Sequence, residues 1–270
     1  FEELVDIYKE QTEALVDAGV DFLAVETMMS LQESRAALIA AKETCPDIPV
    51  MVTMTFESDG RSLFGTDAAT AAIVLSSLGA DAVGANCSTG PDQMAEVIRR
   101  MAKVTDIPII AKPNAGLPSL DEKGQTVYDM GPEEFGADME LLLDAGAQIL
   151  GGCCGTTPEH IRLLAERLKN KPVKERHIEK KTVVSSYTHT VTFGARPILI
   201  GERINPTGKP RLKQALREGD LEYLCREGIA QTEHGADILD VNVGLPELDE
   251  PAVMERAIIN LQSEIGRAHV

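Results

Sequence analysis

The sequence has 270 residues, 43% hydrophobic and 4% aromatic, with no Trp; that is enough chain for one large barrel or two ordinary domains with an aliphatic core. Its 26 Lys and Arg against 43 Asp and Glu give a net charge of −17, which argues against a nucleic-acid phosphate backbone as partner, since binding one needs clustered cations. No apolar run approaches the roughly 20 residues of a membrane helix, and five cysteines without a secretion signal predict a reducing, cytoplasmic setting in which cysteines bind metals or do chemistry.

Phe1 opens inside an amphipathic pattern, without an initiator Met or a cleavage site, so the sequence is expected to start within a domain. From there helix-period stretches alternate with short apolar runs. The expected helices are 2–18, 30–44, 67–78, 91–103, 132–145 and one opened by Thr157-Pro158-Glu159, with Thr157 as N-cap and Pro158 at the first helical position. The expected strands are Phe22–Val25, Val50–Thr55, Ala82–Ala85, Ile107–Ala111 and Gln148–Gly151, with a longer loop after the fourth. Strand–helix alternation requires parallel strands with crossover helices. No Gly-x-Gly-x-x-Gly follows any strand, which disfavours an open dinucleotide-binding sheet. The predicted class is therefore α/β. Residues 1–168 are expected to form the C-terminal part of a (β/α)₈ TIM barrel, with about three units upstream of Phe1. A Lys-rich and then Ser/Thr-rich stretch, 169–196, is expected to be a linker with a solvated basic run. Two further units follow: a strand at Pro197–Gly201, helix 211–234 interrupted at Gly219, a strand at Ile238–Val241 and helix 251–264. They predict the N-terminal part of a second barrel over 197–264. Residues 265–270 break the pattern and are expected to be a non-native tail.

Three cysteines stand at strand ends, the face on which barrel chemistry is assembled. Cys87 follows Gly84-Ala85-Asn86, and Cys153 and Cys154 lie in Gly151-Gly152-Cys153-Cys154-Gly155. Adjacent cysteines make a strained disulfide, whereas flanking glycines let both sulfurs face one ion. Three soft thiolates suit Zn²⁺, and three protein ligands with a free fourth position are the catalytic arrangement. Such a site would deprotonate an incoming thiol while keeping it nucleophilic, which suits thiol alkylation. Cys45 and Cys225 are expected to be buried structural cysteines.

The runs Gly84-Ala85-Asn86-Cys87-Ser88-Thr89-Gly90-Pro91, Lys112-Pro113-Asn114-Ala115-Gly116-Leu117-Pro118 and Gly151-Gly152-Cys153-Cys154-Gly155-Thr156-Thr157-Pro158 resemble the homocysteine S-methyltransferase family, over roughly residues 1–168. The resemblance implies a zinc (β/α)₈ barrel with Cys87, Cys153 and Cys154 as metal ligands and the homocysteine sulfur as the fourth. It also implies that Glu26 holds the homocysteine ammonium, although an acid at a helix N-terminus is a simpler role for that residue. Asn86 and Asn114, at strand ends, are further candidates around the substrate.

In the second domain, Gly201-Glu202-Arg203-Ile204-Asn205-Pro206-Thr207-Gly208-Lys209 is expected to follow the first strand, and Asp240-Val241-Asn242-Val243-Gly244 ends the next. An Asp and two Asn converging there could bond a flat heterocycle with both donors and acceptors, or simply be turn residues. The runs resemble the pterin-binding barrel family, nearer its methyl-folate:corrinoid methyltransferases, which implies that Asn205, Asp240 and Asn242 lie on the pterin face. The two resemblances in this order imply methylation of homocysteine to methionine, with methyltetrahydrofolate as methyl source and cobalamin as carrier in a further module of the same polypeptide. The alternatives are a cobalamin-independent homocysteine S-methyltransferase fused to a folate-binding module, and a non-catalytic protein with structural zinc.

Overall fold

The computed structural model describes residues 1–265, so all but the first residue of the expected tail lies outside the described residues. The chain divides into two compact units, Phe1–Glu179 and a second that begins at Lys180.

The first unit opens with α1 (Glu2–Asp17), followed by β1 (Leu23–Met28), α2 (Leu31–Thr44), β2 (Val50–Met54), α3 (Ala68–Ser77), β3 (Ala82–Asn86), α4 (Pro91–Ala102) and β4 (Ile109–Lys112). The expected long loop then folds as an antiparallel hairpin, β5 (Pro118–Leu120) with β6 (Thr126–Tyr128). The unit ends with α5 (Pro132–Ala145), β7 (Ile149–Leu150) and α6 (Pro158–Leu168). Helix starts follow the local chemistry. Ser30 and Asp67 accept backbone N–H groups of the first turns of α2 and α3. Thr157 and His160 cap α6 reciprocally, with Pro158 in its first turn. Each such cap stabilises its helix by about 1 kcal/mol.

All four pairings of the main sheet are parallel and its order is β1-β2-β3-β4-β7. The strand order never reverses, so the sheet lacks the switch point of a doubly wound fold. One side of the sheet, including Val52, Val83, Ile109 and Ala111, packs on Leu38, Leu75, Ile98, Met101, Phe135 and Met139 of the helices. These aliphatic strands are buried, as parallel strands covered by helices are. Alternate residues, Ala24, Glu26, Met51, Thr53, Ile110, Lys112 and Ile149, line a cavity of about 70 Å³. β3 is buried along its whole length and fits against β4 only because residue 84 is Gly: a Cβ there would stand 1.9 Å from the Ile110 carbonyl oxygen.

The division between the units falls inside the stretch expected to be a linker. Residues 169–179 stay with the first unit because their cations find partners there. Lys171 pairs with Glu140 and Lys174 with Asp144, and the Arg176 guanidinium donates to the carbonyls of Thr105, Ile107 and Gly146. The Ser/Thr-rich part forms an antiparallel hairpin, β8 (Val183–Ser185) with β9 (Thr190–Thr192).

The second unit continues with β10 (Ile200–Ile204), α7 (Pro210–Glu218), α8 (Leu221–Glu233), β11 (Ile238–Val241) and α9 (Glu250–Ile265). The expected strand at Pro197–Gly201 is displaced by three residues. Pro197 has no N–H to give a ladder, and the Leu199 N–H goes to the Asp237 carboxylate, so parallel pairing with β11 starts at Ile200. Glu202 and Arg203 therefore lie within the strand, not after it. Gly219, at φ 71°, separates α7 from α8, the interruption expected there. Ile204, Leu212, Leu224, Val243 and Ala257 form this unit's own core. Cys45 and Cys225 are buried in their respective units, as expected.

Candidate functional site

The three cysteines meet. The Cys87 and Cys154 sulfurs are 3.8 Å apart, those of Cys153 and Cys154 4.0 Å, and all three lie within 4.8 Å of one another. Four sulfurs bonded tetrahedrally at about 2.3 Å stand about 3.8 Å apart. The cluster therefore fits a soft tetrahedral ion and could hold one.

The backbone that brings them together is strained. Thr27, Cys87 and Ser88, at φ 62°, 65° and 61°, are the non-glycine residues with left-handed conformations among the described residues. Cys87 belongs to the cluster, Ser88 follows it, and Thr27 bonds Asn86, whose amide approaches Cys153; each such conformation costs on the order of 1–2 kcal/mol. At Cys87 and Ser88 the chain leaves β3 in a tight turn, pinned by the Cys87 N–H on the Lys112 carbonyl at 3.0 Å. At Thr27 the ladder of β1 slips between Val25 and Met28. A regular strand would send Glu26 and Thr27 to opposite faces; the irregularity lets both reach Asn86.

Asn86 and Asn114 are buried, and both hold the site's framework. Asn86 Oδ1 accepts from the Thr27 N–H at 3.0 Å and the Thr53 hydroxyl at 2.8 Å. Its Nδ2 donates to Thr27 Oγ1 at 2.7 Å and stands 3.5 Å from Glu26 Oε1 and 3.8 Å from Cys153 Sγ. Asn114 Oδ1 accepts the Cys154 N–H at 3.1 Å, while the Cys153 N–H is held by Pro113 and the Ala115 N–H by Cys154. Each turn that carries a cysteine is thus tied to a neighbouring strand end.

Three thiols this close cannot all ionise without a cation among them. Burial, and next the neighbouring Cys87 sulfur, push the Cys153 thiol up to about 11. Burial also acts to raise Cys154, but hydrogen bonds from Tyr128, Cys87 and Cys153 outweigh it and leave this thiol below its usual range. Tyr128, at the end of the β5–β6 hairpin, is itself raised by burial and by its bond to Cys154. Its ring lies over Gly155, at φ 80°, where a Cβ would come within 2.5 Å of it.

Glu26 lies within β1, not at a helix start, so the simpler reading for it does not hold. Both its oxygens are 2.7 Å from Lys112 Nζ. Sequence reasoning missed Lys112, Tyr128, Thr27 and Thr53. The alternation Thr126-Val127-Tyr128 after Asp121-Glu122-Lys123-Gly124 is a hairpin signal that would have found Tyr128.

In the second unit, Asn205 follows β10, Asp240 lies within β11 and Asn242 directly after it. Asn205 and Asn242 accept backbone N–H groups two residues ahead, from Thr207 at 3.0 Å and Gly244 at 2.9 Å. Both close local turns. Asp240 is exposed.

A parallel α/β fold with three cysteines that could hold a metal ion gathered at the carboxyl ends of its strands defines the class: a barrel-like α/β protein with its candidate site on the carboxyl face of the sheet. A family model described as homocysteine S-methyltransferase matches residues 1–168, and the chain belongs to that family of methyltransferases. It is 34% identical to the methionine synthase of Mycobacterium leprae over 250 residues, 88% of this chain and 21% of that protein. It is also 34% identical to the methionine synthase of Mycobacterium tuberculosis over 257 residues, 93% of this chain and 22% of that protein. The chain thus spans about a fifth of the length of these relatives. Among solved structures, the apo form of the homocysteine methyltransferase MmuM from Escherichia coli is 26% identical, with a TM-score of 0.50 over 62% of this chain and 56% of that one. Among the described residues no helix is long and apolar enough to cross a membrane.

Proposed function

We propose that this chain is the part of a cytoplasmic, cobalamin-dependent methionine synthase that activates homocysteine and begins the folate site. In this reading residues 1–168 belong to a homocysteine-binding TIM barrel, 169–196 connect, and 197–264 begin a pterin-binding barrel. The observation that carries it is the convergence of the Cys87, Cys153 and Cys154 sulfurs within 4.8 Å. Further support comes from the methionine synthase relatives, which match 88% and 93% of the chain and so extend beyond residue 168.

Cys87, Cys153 and Cys154 would hold Zn²⁺. When bound, it supplies a Lewis acid that keeps the substrate sulfur ionised at neutral pH. The chain's own residues do the rest. Three thiolates keep the centre electron-rich, so that the substrate sulfur retains its nucleophilicity. Glu26, 3.5 Å from the same Asn86 amide that approaches Cys153, would anchor the homocysteine ammonium. Asn86 and Asn114 fix the strand ends, so the thiol is oriented before a methyl donor arrives; in a transfer between held partners this positioning lowers the barrier most. Asn205, Asp240 and Asn242 would face the pterin of methyltetrahydrofolate. Cobalamin, held by another module of the polypeptide, would carry the methyl group between the two sites.

The test is Cys153→Ala in the complete polypeptide. Homocysteine methylation from added methylcobalamin is expected to disappear together with bound zinc. Full activity with zinc retained would reject the reading.

A further inference from the structure

We infer that Lys112 makes this site selective for thiols that carry a whole amino-acid head group, by taking the α-carboxylate while Glu26 takes the α-ammonium. The inference rests on the metal-and-thiol reading above and adds a specificity-determining residue to it.

Glu26 and Lys112 stand on β1 and β4, with two strands between them. In a flat sheet those strands would be about 14 Å apart. The charged groups nevertheless meet at 2.7 Å, so the side chains lean towards each other across the cavity that both line. An ion pair this exposed, with 29% and 36% of the two side chains accessible, adds little to stability. Its position suits recognition better. The Lys112 main chain is in register with Asn86, and its carbonyl holds the Cys87 N–H. Its stem lies against Gly151, where a Cβ would be 3.3 Å from Lys112 Cγ. The ammonium is thus carried on the same framework as the cysteines.

The pair is neutral as a whole, and so is the zwitterionic head of an α-amino acid. Inserting that head replaces one ion pair with two. A thiol amine lacking the carboxylate brings a second cation to Lys112, and a thiol acid lacking the ammonium brings a second anion to Glu26. Like-charge contacts of this kind reject the wrong ligand as effectively as good contacts select the right one. A thiol seated at the sulfur cluster leaves its head group near Glu26, because the Asn86 amide approaches both Cys153 and Glu26.

The test uses the complete polypeptide with Co²⁺ in place of zinc, so that thiol binding is read from the sulfur-to-cobalt absorption, independently of turnover. Homocysteine, its decarboxylated analogue and its deaminated analogue, γ-mercaptobutyrate, are titrated into wild type, Lys112→Met, Lys112→Arg and Glu26→Gln. Lys112→Met is expected to lower the preference for homocysteine over the decarboxylated analogue by about tenfold, the size of one charge-assisted contact, and Lys112→Arg to restore most of it. Glu26→Gln is expected to erode the preference over γ-mercaptobutyrate instead. Unchanged preferences in Lys112→Met, at wild-type cobalt content, would overturn the assignment of Lys112 while leaving the thiol site standing. Absence of a spectral response to any thiol in wild type would remove the thiol reading and this inference together.

Discussion

The cysteine cluster of the first unit gathers sulfurs from turns 67 residues apart and bends Thr27, Cys87 and Ser88 into left-handed conformations to do so. The strand-end polar residues of the second unit are relaxed by comparison: Asn205 and Asn242 each accept an N–H only two residues ahead, and no non-glycine residue described there has a positive φ. Strain persists only where surrounding structure over-determines it. The cysteine cluster is therefore held by its sheet, whereas the Asn205 and Asn242 side chains bond only within their own loops. The contrast teaches where each site is vulnerable: the first through the sheet, the second through the side chains themselves.

The largest effect should come from breaking the sheet beneath the cysteines without touching them. Gly84→Val places a side chain where even a Cβ meets the Ile110 carbonyl at 1.9 Å. It is expected to cost about 3 kcal/mol or more, read by urea unfolding, and to lower metal content as β3 and β4 part. Wild-type stability would show that the two strands can separate without harm. Next in size, Asp240→Ala in the complete polypeptide is expected to raise KM for methyltetrahydrofolate about tenfold, as loss of one charged hydrogen bond does. Methyl transfer from added methylcobalamin to homocysteine should be spared. Equal loss in both assays would argue against separate sites.

The same contrast explains what the sequence could reveal. The five βα units of the first unit are legible because burial against helices writes a local period into each strand and helix. The cysteines are legible because parallel strands put all their carboxyl ends on one face. Lys112 is not, because nothing local distinguishes a strand-end lysine that pairs with Glu26, 86 residues away, from one in solvent. The bulge at Thr27 is equally silent: Leu23-Ala24-Val25-Glu26-Thr27-Met28 carries no glycine to mark it. In the second unit Pro197-Ile198-Leu199 has strand composition and so predicts too early a start for β10, while the Asp237 carboxylate that takes the Leu199 N–H lies in a distant segment.

A smaller effect would sharpen the claim of strain. Ser88 has φ 61° and its hydroxyl makes only a 3.4 Å contact to Glu57. Ser88→Gly is expected to be more stable than Ser88→Ala by about 1 kcal/mol, the left-handed penalty that Gly escapes. Equal stabilities in urea would mean that the turn relaxes without glycine.

The smallest effect concerns what the units share. Gly79-Ala80-Asp81 and Gly235-Ala236-Asp237 each enter a strand from a helix, and each Asp does the same work. Asp81 accepts the Val50 N–H at 2.8 Å and the Lys42 ammonium at 2.7 Å. Asp237 accepts the Leu199 N–H at 3.0 Å and pairs with Arg196. These are the amino ends of the strands, the face of such folds that serves stability rather than chemistry. The Arg196 guanidinium, and next the Leu199 N–H, hold the Asp237 carboxyl down at about 2, from an ordinary value of 3.8. A carboxyl depressed by folding stabilises the native state above its unfolded value, and that contribution is lost as pH falls through the folded one. Asp237→Asn should therefore lower urea resistance slightly at neutral pH, and the gap to wild type should close as pH falls from about 4 to about 2. A gap that stays constant over that range would mean that the ionised carboxylate is not what ties β10 to β11. The resemblance between the units at their amino ends would then be one of sequence alone.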